Sequence, residues 1–251
     1  MRWFVMKLFV CGMVLISGDV VDNNQPQRES TPKEHPAFRE YVEERLHMVT
    51  LQIQGCGIAD PNVLRAMQRM PRHVLVPNQY RRQAYTDRPL PIGHQQTISQ
   101  PYIVAFMTEA LALEPNDTVL EIGTGSGYQA AVCAEIARHV YTIEIVKPLA
   151  ISADRSLRNL GYRNISVRAG DGFFGWPEHA PFDAIIGTAA AGRVPPPLLE
   201  QLKPGGRMIL PVENDQGFQY LVLITKKADG TIQQKKVLPV RFVPMTGEVL
   251  D

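Results

Sequence analysis

At 251 residues, of which 45% are hydrophobic and 20% charged, the chain is long enough for one large α/β domain with a full core. A formal net charge of +1, with no dense Lys/Arg block among aromatics, gives no general attraction to nucleic acid, and no nucleic-acid partner is expected. Three cysteines (Cys11, Cys56, Cys133) without a C-x-x-C pair and six scattered histidines indicate neither a disulfide framework nor a metal site, so no metal is expected.

In chain order, Arg2 and Lys7 precede the apolar run Leu8 to Ile16, followed by Ser17-Gly18, which resembles the charged and apolar parts of a signal peptide. The run is too short to span a bilayer, so no stable membrane association is expected. Polar residues 19 to 35 then read as a flexible linker, making residues 1–35 one segment and 36–251 a single domain. Within that domain, residues 36–115 form N-terminal helices and a segment on the substrate side, and residues 116–251 a ligand-binding sheet.

Phe38, Tyr41, Val42, Leu46, Val49 and Leu51 recur at roughly helical spacing, and Gly55-Cys56-Gly57 ends that helix. Asp60-Pro61 caps a second helix through Val63, Leu64, Met67 and Met70. Residues 71–96 read as irregular, because Pro89, Pro91 and Gly93 oppose long regular structure. Next, Thr97-Ile98-Ser99-Gln100-Pro101 leads into a strongly apolar helix with Ser99 in N-cap position. Two readings of Ser99 stand side by side: a plain helix cap, or a hydroxyl beside a positive helix end that cradles a carboxylate-sized anion.

Val119-Leu120-Glu121-Ile122 breaks into Gly123-Thr124-Gly125-Ser126-Gly127 and continues as a helix-forming run from Tyr128 to Ala137. This is strand, tight turn, helix, with glycines that let backbone lie against a ligand and with free helix-start N–H groups in the same cleft. Gly125 to Ala130 also satisfies the loose dinucleotide fingerprint, and Glu144 ends the next strand as a ribose-binding acid should. Glu121, whose charge could face a cationic methionine moiety, and Asp171-Gly172 at the third strand end, within reach of an adenine, instead favour S-adenosylmethionine. A bare packing turn is the bland alternative.

A helix from Pro148 to Leu160, strands at 165–168 and 182–187, a proline-led helix to Leu202 and a strand at 205–212 continue the alternation. Tyr220 to Lys226 and Gln233 to Phe242 close the chain as a hairpin turning at Asp229-Gly230. The expected fold class is therefore α/β: a Rossmann-like, mostly parallel twisted sheet of about seven strands, helices on both faces, closing antiparallel strands and a helical N-terminal addition.

Thr97 to Pro101, the glycine turn, Gly170-Asp171-Gly172, Phe182 to Ala191, Leu202-Lys203-Pro204-Gly205-Gly206 and Val240 to Gly247 together resemble the protein-L-isoaspartate O-methyltransferases, in their bacterial form, over about residues 36 to 250. The glycine turn and Pro-Gly-Gly occur across many methyltransferases. The Ser99 segment, the Ala-Ala-Ala strand end and Val-Pro-Met-Thr are specific to that family.

The resemblance implies methyl transfer from S-adenosylmethionine, as cosubstrate, to the α-carboxylate of L-isoaspartyl residues in age-damaged proteins and peptides. The resulting ester collapses to a succinimide, which completes a repair. Ser99 matches the family's active-site serine, with Val104 and Thr246 as further substrate-side positions; Val104 stands where some relatives have a histidine and offers no polar contact. Thr97, Ile98, Glu121, Gly123, Gly125, Gly127, Glu144, Asp171 and Gly172 form the cofactor set. A cytoplasmic monomer is expected, with export as the alternative because of residues 1–18. A carboxylate is already ionised near neutral pH, so no general base is needed, and neutral donors suit an anion that loses charge on becoming an ester. The alternative function is an S-adenosylmethionine-dependent methyltransferase of a small carboxylate or other small molecule; an NAD-dependent oxidoreductase leaves Glu121, Asp171 and the Ser99 segment unexplained.

Overall fold

The computed structural model describes residues His35–Gly247, and all of these belong to one compact unit. The signal-like and linker expectations for residues 1–35 lie outside the described residues apart from His35. The first helical stretch is not one helix. A 3-10 turn at Pro36–Arg39 is followed by α1 (Val42–His47), a π-helical run at Met48–Ile53 and a further 3-10 turn at Gln54–Cys56. Three of the apolar positions that suggested its buried face, Val42, Leu46 and Leu51, are exposed, whereas Arg45 is buried. Arg45 earns its place through partners remote in sequence: its guanidinium donates to Gln68 O (2.6 Å), Phe38 O (2.9 Å) and Tyr85 Oη (3.1 Å).

α2 (Pro61–Arg69) begins as read, with the Asp60 carboxylate accepting from Asn62 N (2.7 Å) and Val63 N (3.3 Å). Short 3-10 turns at Arg72–Leu75 and Asn78–Gln83 fill the irregular region. They lead to a hairpin that the prolines concealed, β1 (Leu90–Gly93) against β2 (Gln96–Ile98), with Leu90 opposite Ile98 and Gly93 opposite Gln96. His94 and Gln95 sit at its tip with φ of 51° and 58°. Two consecutive left-handed residues are what a tight hairpin turn of this twist requires, but the usual Asn-Gly signature is missing.

The main sheet has seven strands in the order β5-β4-β3-β6-β7-β8-β9. They are β3 (Thr118–Ile122), β4 (His139–Glu144), β5 (Ile165–Ala169), β6 (Phe182–Gly187), β7 (Leu202–Glu213), β8 (Gln219–Lys226) and β9 (Ile232–Val240). β3 to β7 run parallel; β8 and β9 are antiparallel additions, joined by a turn in which Asp229 accepts from Thr231 N (2.9 Å). Helices α3 (Pro101–Leu111), α4 (Tyr128–Ala134), α5 (Lys147–Asn159) and α6 (Pro196–Gln201) complete the chain. Successive β3 residues feed opposite cores, as the two-residue strand period demands: Val119 joins the cluster of α2, α3 and α4, and Leu120 and Ile122 join that of Leu198 on α6. The chain leaves β3 outward through β4 and β5 and then returns to lay β6 on the other side. Strand order thus reverses between β3 and β6, and their C-terminal ends open the crevice where ligands of such sheets bind.

Candidate active site

Two cavities meet at that crevice. The smaller, about 60 Å³, is lined by Gly123, Gly125, Ile143 to Val146 and Gly172, with Gln96 and Thr97 from the hairpin and Val243 to Thr246 from the C-terminal segment. The larger, about 480 Å³, is lined by Pro89, Thr97, Ser99, Gln100, Ile103 and Pro239 to Val243. Thr97, Thr188 and Val243 belong to both walls.

The floor of the smaller cavity follows from the glycine turn. Gly123, with φ of 97°, passes so close to Thr188 that a Cβ would collide with its hydroxyl oxygen. That hydroxyl donates to Gly123 O (2.5 Å), while Thr188 N donates to Ile122 O (2.8 Å), which stitches the β6 end to the turn. Gly127, with φ of 84°, starts α4, and a side chain there would lie 2.9 Å from Leu157. Gly127 therefore allows close packing and does not line the cavity.

Glu144 stands at the cavity wall with both carboxylate oxygens engaged: Oε2 accepts from Gly125 N (2.7 Å) and Oε1 from Val146 N (2.9 Å). Glu121 lies elsewhere than its sequence position suggested. The strand pleat turns it, with Val119, toward α4, where it is fully buried beneath the turn. Thr142 Oγ1 donates to its Oε2 (2.5 Å) and lies 2.6 Å from Thr124 Oγ1, while Oε1 has no hydrogen-bond partner. Burial pushes its pKa up to about 8, against the opposing hydrogen bond from Thr142. Burial therefore disfavours its charged form, and it lines neither cavity.

Of the other expected cofactor residues, Thr97, Gly123, Gly125 and Gly172 line the smaller cavity, but Ile98 and Asp171 do not. Ile98 is buried in the core. The Asp171 carboxylate accepts from Phe173 N (2.9 Å) and packs so tightly against Gly247 that any side chain there would strike it. On the substrate side, Ser99 lines the larger cavity, whereas Val104 is only 1% exposed within the core and reaches neither cavity. Thr246 lies on the smaller cavity, among the cofactor residues.

Ser99 is not the cap of α3. The N-cap position falls to Gln100, without a side-chain cap, and the Asp87 carboxylate supplies the missing acceptor to Tyr102 N (2.8 Å). The Ser99 hydroxyl has no hydrogen-bond partner among the described residues and is available at the wall. Sequence reasoning passed over Thr188, Gln100 and Arg241. All three stood inside segments already singled out, but nothing local marked their side chains. Arg241, exposed, is the single charged residue on the larger cavity, and Glu144 the single charged residue on the smaller. Among the described residues no cluster of three His, Cys, Asp or Glu could hold a metal, and no helix is long and apolar enough to cross a membrane.

Residues 43–250 match the family model described as Protein-L-isoaspartate(D-aspartate) O-methyltransferase (PCMT). Protein-L-isoaspartate O-methyltransferase 1 of Cupriavidus necator is 58% identical over 194 residues, covering 77% of this chain and 75% of its own. The Synechococcus sp. protein-L-isoaspartate O-methyltransferase is 54% identical over 223 residues, covering 86% of this chain and 91% of its own. A solved protein-L-isoaspartate O-methyltransferase structure superposes with a TM-score of 0.72 at 29% identity, over 83% of this chain and 67% of that one. A putative Plasmodium falciparum enzyme of the same description, solved with S-adenosyl-L-homocysteine, gives a TM-score of 0.69 at 25% identity, over 80% of this chain and 98% of that one.

Proposed function

The chain belongs to the protein-L-isoaspartate O-methyltransferase family, and we propose that it methylates the free α-carboxylate of L-isoaspartyl residues in damaged proteins. The cosubstrate is S-adenosylmethionine, whose sulfonium methyl is the group transferred. We take residues 36–251 as the one domain that does this.

The observation that carries the reading is the junction of the two cavities at Thr97, Thr188 and Val243, with the Ser99 hydroxyl beside it. Two ligands in separate pockets with a common wall are what direct transfer requires. The donor set fits the cosubstrate: a carboxylate at the end of β4 that can accept from ribose hydroxyls, and turn glycines that allow close backbone approach. Because each Glu144 oxygen already holds one backbone N–H, a ribose hydroxyl shares or displaces one of those bonds.

On the other side, Ser99 Oγ donates a hydrogen bond to the isoaspartyl carboxylate and orients one of its oxygens toward the shared wall. That oxygen forms the new O–CH3 bond as the S–CH3 bond breaks, the bonding pair leaving with sulfur. No proton moves, which agrees with a larger cavity lined by hydroxyl, amide and apolar groups and one guanidinium, without a general base. The guanidinium of Arg241 favours entry of anionic peptide, and a neutral hydroxyl rather than that cation holds the reacting carboxylate, whose charge is lost in the ester. The final collapse to succinimide needs only the neighbouring backbone amide of the substrate.

The test is transfer of labelled methyl from S-adenosylmethionine to an isoaspartyl peptide, run beside its normal aspartyl twin. Base-labile ester on the isoaspartyl peptide alone is the expected result. Bound cosubstrate with no ester on either peptide would overturn the substrate assignment and leave a small-molecule methyltransferase.

A further inference from the structure

We propose that Asp87 is a positioning residue of the transfer reaction, its carboxylate pinning the Ser99-Gln100-Pro101 corner so that the Ser99 hydroxyl stays on the wall of the larger cavity. This rests on the reading of Ser99 given above. Asp87 itself lines neither cavity, so any effect it has on the reaction passes through other residues.

The hairpin creates the juxtaposition. Because Leu90 pairs with Ile98, the chain just before β1 and the chain just after β2 leave the hairpin side by side. Asp87, three residues before Leu90, meets Gln100 and Tyr102 there: Oδ1 accepts from Tyr102 N (2.8 Å) and Oδ2 from Gln100 Nε2 (2.7 Å). Pro101 has no N–H, so Tyr102 carries the first backbone donor at the start of α3, and a carboxylate opposite it also meets the positive end of the helix. The second bond fixes an amide that would otherwise be free to turn over. An ionised carboxylate can only accept, so the Gln100 NH2 must face Asp87.

Ser99 is thereby held from both ends. Ile98 is fixed by its strand pair with Leu90, and Gln100 and Tyr102 by Asp87, all from one short stretch, residues 87 to 90. A serine serving as N-cap would have spent its hydroxyl on Tyr102 N or its neighbour. Asp87 takes over that task from fifteen residues upstream and leaves the hydroxyl for a ligand. A reacting group displaced by about 1 Å loses on the order of 100-fold in rate, which is the scale of effect expected when the pin is removed.

The experiment is a double-mutant cycle of Asp87→Ala with Ser99→Ala in the labelled-methyl assay, with kcat and KM for the isoaspartyl peptide, cosubstrate Kd and thermal melting read for each variant. Asp87→Ala is expected to lower kcat by about 30-fold or more, with cosubstrate Kd changed by less than about threefold. Asp87→Asn, which keeps an acceptor for Tyr102 N and can donate to a turned Gln100 amide, is expected to recover kcat to within about fivefold of wild type. In the Ser99→Ala background, Asp87→Ala should cost nothing further. A wild-type kcat in Asp87→Ala, or an equal loss with and without Ser99, overturns the proposal and leaves Asp87 a structural cap. Should Asp87→Ala not fold, Tyr102→Pro removes the same hydrogen bond from the other side at a first-turn position that tolerates proline. It must then show a kcat loss that vanishes without Ser99, and a wild-type kcat or an additive loss overturns the proposal. An inactive wild type defeats the functional reading itself, whereas an active wild type matched by its variants defeats only this inference.

Discussion

Around the smaller cavity the chain bonds to itself, while around the larger one it leaves groups open. Glu144 is tied at both oxygens to Gly125 and Val146, Thr188 to Gly123, and Thr142 to Glu121. Across the shared wall the Ser99 hydroxyl is unengaged and the Arg241 guanidinium is exposed. On one side a ligand must share or displace internal hydrogen bonds. The other offers unspent groups to a substrate that is part of a protein, and its selectivity rests on shape and a few contacts. The two sides also differ in how they are built: both use the hairpin and the C-terminal segment, but the smaller adds the strand ends and glycine turn, and the larger the start of α3.

That division can be tested by separating chemistry from cosubstrate binding. The largest effect is expected from Ser99→Ala: a fall in kcat of about 100-fold, the scale of one lost oriented donor, with cosubstrate affinity retained in calorimetry. Loss of cosubstrate binding instead would mean that the two sides are not separable at Ser99. Next, Glu121→Gln should flatten the dependence of stability on pH. The folded pKa near 8 lies above the ordinary 4.5, so native protein keeps a proton that unfolded chain has released. Its contribution is complete below the ordinary value and is lost as pH rises to the folded one, at about 1.4 kcal/mol per pH unit. Urea unfolding at pH 5, 6.5 and 8 should show wild type falling progressively behind the glutamine variant. Parallel curves would place the Glu121 charge in solvent contact. The smallest effect is expected at Glu144. Its replacement by Ala weakens cosubstrate binding by about tenfold, because removing a ligand contact also removes the internal bonds that compete with it. A drop of three orders of magnitude would mean that those internal bonds cost nothing to break.

The same division governs what could be read from sequence. Strand periodicity, the glycine turn, the Asp60 cap and the Asp229-Gly230 hairpin are local patterns, and each appears close to where its residues suggest. Glu121 lies off both cavity walls because the face it occupies depends on which side of the sheet α4 covers, whereas its place beside the glycines is local information. Arg45 lies among the apolar positions of the first helical stretch without being one of them, and nothing near it in sequence announces Gln68 or Tyr85 as partners. Ser99 satisfied every local criterion for a cap, yet an acid on the other arm of an unforeseen hairpin had taken that task. Misreadings therefore gather where side chains meet partners from distant parts of the chain, and most of the larger cavity is made in this way.

The C-terminal segment closes both pockets. Val243 O accepts from Ala190 N (2.8 Å) and Met245 N donates to Ala190 O (2.7 Å), so a segment remote in sequence from the glycine turn becomes wall for both cavities. The strand–turn–helix unit alone therefore makes no site, since a domain folds as a unit. Until this segment docks on Ala190, neither pocket has its last side. Methyl transfer itself thus reports that this segment has docked.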